Sequence, residues 1–177
     1  VKVQENKGQG GNDLVFYGKA ANMDVFVTDG RFMLQLKNQA DFDLIHDIHH
    51  GLASIPDDMQ IRYHNIEFQL INPASTKPFG EKKTEDYVNY FLGNDSSLWA
   101  GGVQQFGEVH MPSVYTGIDF LLTSLGDHLK YEFNIAAGAD PSLARFKING
   151  VDSIYLFEHK IHLANSVDML IDDEPIA

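Results

Sequence analysis

A chain of 177 residues fits one domain with a proper hydrophobic core. Its 13 lysines and arginines stand against 25 aspartates and glutamates, and a formal charge of −12 repels phosphate backbones, which sets nucleic acid aside as a partner. The absence of cysteine removes thiol catalysis, disulfides and cysteine-ligated zinc together, without assigning a compartment.

No run approaches the ~18 consecutive apolar residues of a membrane span, so membrane insertion is not expected. No basic-then-apolar leader opens the chain, which implies a signal peptide absent or already removed. Period-two alternation and turn signals recur, whereas helical periodicity is nearly missing. Met23–Thr28, then Asp29-Gly30, then Arg31–Leu36 predicts a hairpin with an Asp-Gly turn. Residues 40–58 stay open between a short helix carrying Phe42, Leu44, Ile45, Ile48 and Leu52 and a meandering connection ended by Pro56. Gln60–Leu70 alternates, but its parity slips near His64-Asn65, which predicts a bulge there. Asn72–Glu85, with two prolines and a glycine, is expected to be a polar loop, and Asp95 is a natural cap for a helical turn running to Trp99.

The clearest pair of strands is Gly117–Ser124 with His128–Ala136. Ile118, Phe120 and Leu122 share one face, as do Leu129, Tyr131, Phe133 and Ile135; Asp119, Lys130, Glu132 and Asn134 share the other. Leu125-Gly126-Asp127 supplies the turn, with Gly126-Asp127 as its central pair. Short strands follow at 145–148, 153–157, 160–163 and 167–171. No repeat, low-complexity tract or linker interrupts residues 1–177. The expectation is a single all-β domain, an antiparallel β-sandwich-like fold with one or two short helical turns.

Several blocks occur in a characteristic order: Glu5–Gln9, Asn89–Asp95 with Trp99, Tyr115–Asp119, Leu129–Phe133 and Gly138–Pro141. Together they resemble the N-terminal domain of unknown function of large secreted bacterial cell-surface proteins, which often precedes β-propeller-type repeats and a C-terminal secretion-sorting domain. The resemblance spans about Glu5 to Pro175 and implies a secreted or cell-surface setting, a fragment of a larger protein, and no defined chemistry. Thr116 and Ala137 depart from it where proline is expected, and residues 40–58 have no counterpart in it.

His46, His49 and His50 form the densest histidine group, and at helical spacing they are candidate zinc or nickel ligands. The group lacks the His-Glu-x-x-His arrangement that supplies a general base, so a titrating surface turn is the preferred reading and no cofactor is expected. Gly8-Gln9-Gly10-Gly11 lacks the lysine and the strand–loop–helix setting of a phosphate loop. No Gly-x-Ser-x-Gly elbow is present. Asn94-Asp95-Ser96 matches a glycosylation acceptor, yet the capped turn explains it better.

Asn89, Tyr90, Asn94, Asp95 and Trp99 combine amides, a carboxylate and aromatics, as sugar recognition requires, but they also suit a structural corner with Trp99 buried, and the corner is preferred. Asp119 and Glu132 are the best carboxylate pair. A two-residue turn sets 119 opposite 134 and 121 opposite 132, which makes the two acids diagonal neighbours roughly 7–8 Å apart at the backbone. Lys130 on the same face offers Glu132 an ion pair, and Asp119 is expected to bond backbone near Tyr115–Gly117. The function expected is a non-enzymatic extracellular or surface module for adhesion, assembly or glycan contact, its partners being surface glycans or adjoining domains of the same chain. Alternatives are a carbohydrate-active enzyme domain and a structural cap on an adjoining repeat domain.

Overall fold

A computed structural model describes residues 2–20, 22–96, 99–125, 128–167 and 169–176, with the side chains of Ser124 and Leu125 outside the description. Strand accounts for 53% of the chain and helix for 9%, so strand exceeds helix more than twofold, as the alternation predicts. Four strands come first: β1 (Lys2–Glu5), β2 (Phe16–Lys19), β3 (Met23–Thr28) and β4 (Arg31–Lys37). Helix α1 (Gln39–His49) precedes β5 (Tyr63–Leu70), β6 (Phe79–Tyr90), β7 (Ala100–Tyr115), β8 (Ile118–Leu125) and β9 (His128–Ile135). A 3-10 turn at Pro141–Leu143, capped by Asp140, leads to β10 (Phe146–Asn149). A small antiparallel sheet of β11 (Ser153–Phe157), β12 (Lys160–Ala164) and β13 (Met169–Asp172) follows.

The large sheet runs β10-β5-β4-β3-β2-β1-β7-β8-β9, with β6 also on β7, and every pairing is antiparallel. It curls until its ends meet. The ring of Phe146 on β10 lies 5.3 Å from Tyr131 and 5.4 Å from Phe133, both on β9. Across the interior, Phe32 stacks on Phe68 at 4.7 Å and reaches Phe120 at 6.0 Å, so β4 and β5 face β8 as the two layers of a sandwich do. The curl turns on β7. Phe106 packs against the core and so does Val109, an odd spacing that a regular strand cannot place on one face. Gly107 lies between them, and Lys82, one residue from both partners of that stretch on β6, takes φ 53.

The small sheet covers one end of the curl. Leu163 is completely buried, and His64 of β5 reaches this region through both ring nitrogens. Its Nε2 donates to the carbonyl of Gly150, which leaves Nδ1 to accept from the Ser166 hydroxyl at 2.9 Å.

Several expectations hold. The β3–β4 hairpin closes at Thr28 and Arg31, with Gly30 at φ 67. β8 and β9 pair with Asp119 opposite Asn134 and Leu121 opposite Glu132, as a two-residue turn requires, although Gly126 and Asp127 themselves lie outside the described residues.

Of the two readings open for residues 40–58, the helix is the one formed: α1 runs for eleven residues from Gln39 to His49, and its cap, Asn38, accepts from the Asp41 amide. Other expectations need correction. The bulge expected near His64 is absent, because β4 and β5 stay in one register from Arg31–Gln69 to Lys37–Tyr63. Tyr63 faces outward and meets Phe42 of α1 edge-on at 5.9 Å, which accounts for the apparent slip. The loop expected at Asn72–Glu85 ends early, since β6 starts at Phe79.

Candidate functional site

The β6–β7 connection gathers the first group of candidates. Asn89 lies near the end of β6, and its Oδ1 accepts the amide of Gly102 at 2.8 Å, tying the two strands together. Tyr90 is half-buried, and its hydroxyl donates to Gln4 Oε1; burial pushes the phenol pKa up, and this hydrogen bond opposes the shift. Beyond Tyr90 the chain leaves the sheet, and Gly93 turns it at φ 64. Trp99 returns to the sheet with its backbone N–H on Ser96 O, and residues 97 and 98 of the expected capped turn lie outside the described residues. Asn94 and Asp95 are exposed.

Trp99 does not occupy the core. It is 45% exposed, its Nε1 donates to Gly93 O at 3.2 Å, and its ring meets that of Phe91 edge-on at 5.3 Å. Phe91 is itself 67% exposed, and Tyr87 and Leu92 are exposed beside it in sequence. The loop that carries the indole stands beyond the paired residues of β6 and β7, so it cannot reach the interior between the layers. The indole N–H is nevertheless satisfied, which fixes the ring while leaving much of its surface in water.

The carboxylate candidates lie on the outer face of β8 and β9. Asp119 Oδ1 accepts the amide of Ser113 at 2.7 Å, where β7 bulges and Ser113 takes φ 51. The backbone partner is therefore two residues upstream of the stretch expected. Asp119 Oδ2 lies 3.4 Å from His110 Nε2. Glu132 Oε1 is bound by Lys130 at 2.8 Å, along one strand rather than across two. Each acid is thus engaged by a different neighbour.

His110 was not among the sequence candidates. It sits between Asp119 and Glu81, whose Oε1 is 3.7 Å from Nδ1, and against the ring of Phe79 at 4.9 Å. Two residues back along β7, Glu108 is buried and accepts from Lys82 at 2.7 Å and Thr123 at 3.1 Å. The Lys82 ammonium holds this carboxyl below its ordinary range, against the opposing effect of burial. Recognising β7 as a strand would have brought Glu108 and His110 onto this face, but Pro112 and three glycines in the segment conceal it.

At the C-terminal end of α1 the rings of His46 and His50 are 4.3 Å apart and those of His49 and His50 5.5 Å apart. Among the described residues, no three histidines or acids converge on a point that would hold a metal. No helix among the described residues is long and apolar enough to cross a membrane. In the glycine-rich segment, Asn6 Oδ1 accepts the amides of Gly8 and Gly10, so the loop is organised around its own side chain.

A family model, DUF7948, described as a domain of unknown function, matches residues 4–177. No curated protein and no solved structure matches the chain.

Proposed function

We propose that this chain, which belongs to the DUF7948 family of domains of unknown function, is a non-enzymatic extracellular module that contacts glycans through Trp99 and Phe91. The observation that carries the reading is the exposed indole, pinned by its N–H to Gly93 and braced by the still more exposed ring of Phe91. A rigid aromatic surface stacks on the apolar face of a sugar ring at little entropic cost, and neighbouring amides such as Asn89 and Asn94 read hydroxyl groups. The acidic surface disfavours anionic polysaccharides, so the ligand is a neutral glycan. The ordered sequence blocks support a secreted or cell-surface setting, in which adjoining domains such as propeller-type repeats follow in the same protein.

Trp99 is the sole tryptophan, so its fluorescence reports the site directly. Titration with neutral oligosaccharides should shift the emission, and Trp99→Ala and Phe91→Ala should abolish binding on a glycan array without lowering the melting temperature by more than a degree or two. Glycan binding that survives both substitutions refutes the reading, as does a wild-type array with no binding at all.

One observation favours assembly as a second reading. All five residues of β11 are exposed, Leu156 to 72%, and the strand's outer edge is unpaired among the described residues. An edge of this kind fits an adjoining domain. Leu156→Lys separates the two readings, because it would disturb docking and leave the tryptophan signal intact.

A further inference from the structure

The inside of the curl is not filled. A cavity of about 360 Å³ opens where β4 and β5 meet β9 and β13, lined by Phe32, Leu34, Leu36 and Phe68 below and by Leu170 above. Protein interiors leave few voids larger than a water molecule, and a water occupies roughly 30 Å³ of liquid. A water needs two to four polar partners, which only the part of the lining near Asn22, His128, Tyr131 and Asp172 offers; the rest is hydrocarbon. The volume falls at the lower end of the ~300–1,000 Å³ of small-molecule sites.

One wall is polar. The Tyr131 hydroxyl donates to Asp172 Oδ2 at 2.6 Å, and both residues line the cavity. Among the described residues Tyr131 is the only side-chain donor to this carboxylate. The neighbouring Asp173 adds a second negative charge, and Lys160, 2.7 Å from Asp173, neutralises that acid instead. Burial accordingly pushes the Asp172 pKa up, as expected of an acid whose charge lacks a cation.

We infer that this cavity is a binding site for a small amphipathic amine, its hydrocarbon body against Phe32, Leu34 and Leu170 and its ammonium on Asp172. The net charge of −12 concentrates cations around the protein and repels fatty-acid anions of the same length. An ammonium would give Asp172 the charged donor it lacks, a stronger partner than a neutral hydroxyl. This site is separate from the Trp99 loop, and neither reading depends on the other.

The five methionines supply the assay. Met23 and Met169 line the cavity, while Met33 and Met59 do not, so methyl resonances of the full chain separate local from general binding. n-Octylamine, n-octanol and octanoate are titrated below their aggregation range at pH 8. Octylamine should move Met23 and Met169, leave Met33 and Met59 in place, and bind at least tenfold more tightly than octanol, with octanoate weakest. Asp172→Asn keeps an acceptor for Tyr131, and it should reduce octylamine to the affinity of octanol while octanol binding is unchanged. Equal shifts at all four methionines, octanoate as tight as octylamine, or an amine preference that survives Asp172→Asn would each overturn the assignment.

Discussion

The sharpest energetic test lies at Lys37 and Asp24, neighbouring strands' charges that the fold has taken out of water. Their side chains are 5% and 12% exposed, and Lys37 Nζ is 2.7 Å from Asp24 Oδ1. The ammonium also lies 3.4 Å from Ala20 O and 5.6 Å from the Phe42 ring, so it has no aqueous route to compensation. Removing one partner of such a pair strands the other charge and costs about 3–5 kcal/mol. That is a large share of the ~5–15 kcal/mol that typically separates folded from unfolded protein. For a chain of this length it converts to a fall of roughly 6–20 °C in melting temperature.

Asp24→Asn and Lys37→Met should each show this loss by thermal and urea unfolding. The apolar double variant Asp24→Leu/Lys37→Met should lose less than either single one, because it leaves no orphaned charge. Tyr17 gives an independent reading. Burial, together with the charge and hydrogen bond of Asp24, pushes its pKa up to about 12. Asp24→Asn should bring the phenol titration down, though not to its ordinary value, since burial remains. Single variants that cost less than about 1 kcal/mol, the level of a solvated surface pair, would refute the reasoning.

Three further outcomes are expected. Glu108 titrates below its ordinary range, so the stability it contributes is present above the unfolded-state value and lost as pH falls through the lower folded-state pKa. Glu108→Gln should therefore cost about 1–2 kcal/mol at pH 7, the lower figure reflecting the exposed Lys82, and should flatten the acid limb of the stability curve measured by urea titration. Gly150 takes φ 83, and a methyl group there would overlap the carbonyl oxygen of Asn65, whereas Gly138 at φ 88 has open space around it. Gly138→Ala should cost about 1 kcal/mol of backbone strain and Gly150→Ala distinctly more, as melting temperatures would show. Micromolar zinc should leave the melting temperature unchanged, since among the described residues no three histidines or acids converge to hold it; a rise lost in His49→Ala would show a metal site.

How much of the fold could be read in advance depended on whether each strand kept one parity. β8 and β9 did, with Ile118, Phe120 and Leu122 opposite Ile135, Phe133 and Tyr131, and their register followed from two turn positions. β7 did not. Its inward residues change from even to odd numbers between Phe106 and Val109, so no single alternation runs through the longest strand of the domain. The bend that lets this strand serve both layers is what erased its signature. β11 was legible as a strand yet silent about its surroundings, because Ile154 and Leu156 on one face and Tyr155 and Phe157 on the other are all exposed. Apolar residues on both faces ordinarily mean a doubly buried strand. Here both faces are exposed instead, which is the basis for the assembly reading.

The site followed the same logic in reverse. A lone tryptophan among twelve phenylalanines and seven tyrosines invites a place in the core on composition, but other aromatics hold that place. Phe32, Phe68, Phe120, Tyr131, Phe133 and Phe146 form one continuous aromatic cluster between the layers. The indole stands on a connection nine residues long that joins adjacent antiparallel strands along one edge, and no such connection crosses the interior. Had β6 and β7 been recognised as neighbours, Trp99 could only have been placed outside. Large aromatics are costly to leave in water, by about 1.5–3 kcal/mol for a side chain of this kind. Trp99 and Phe91 recover part of that against each other, and the remainder is available to whatever stacks on them. That residual drive, held in place by the hydrogen bond to Gly93, is the physical ground for proposing ligand contact at this corner rather than at the carboxylates, of which Asp119 already accepts the Ser113 amide and Glu132 already pairs with Lys130.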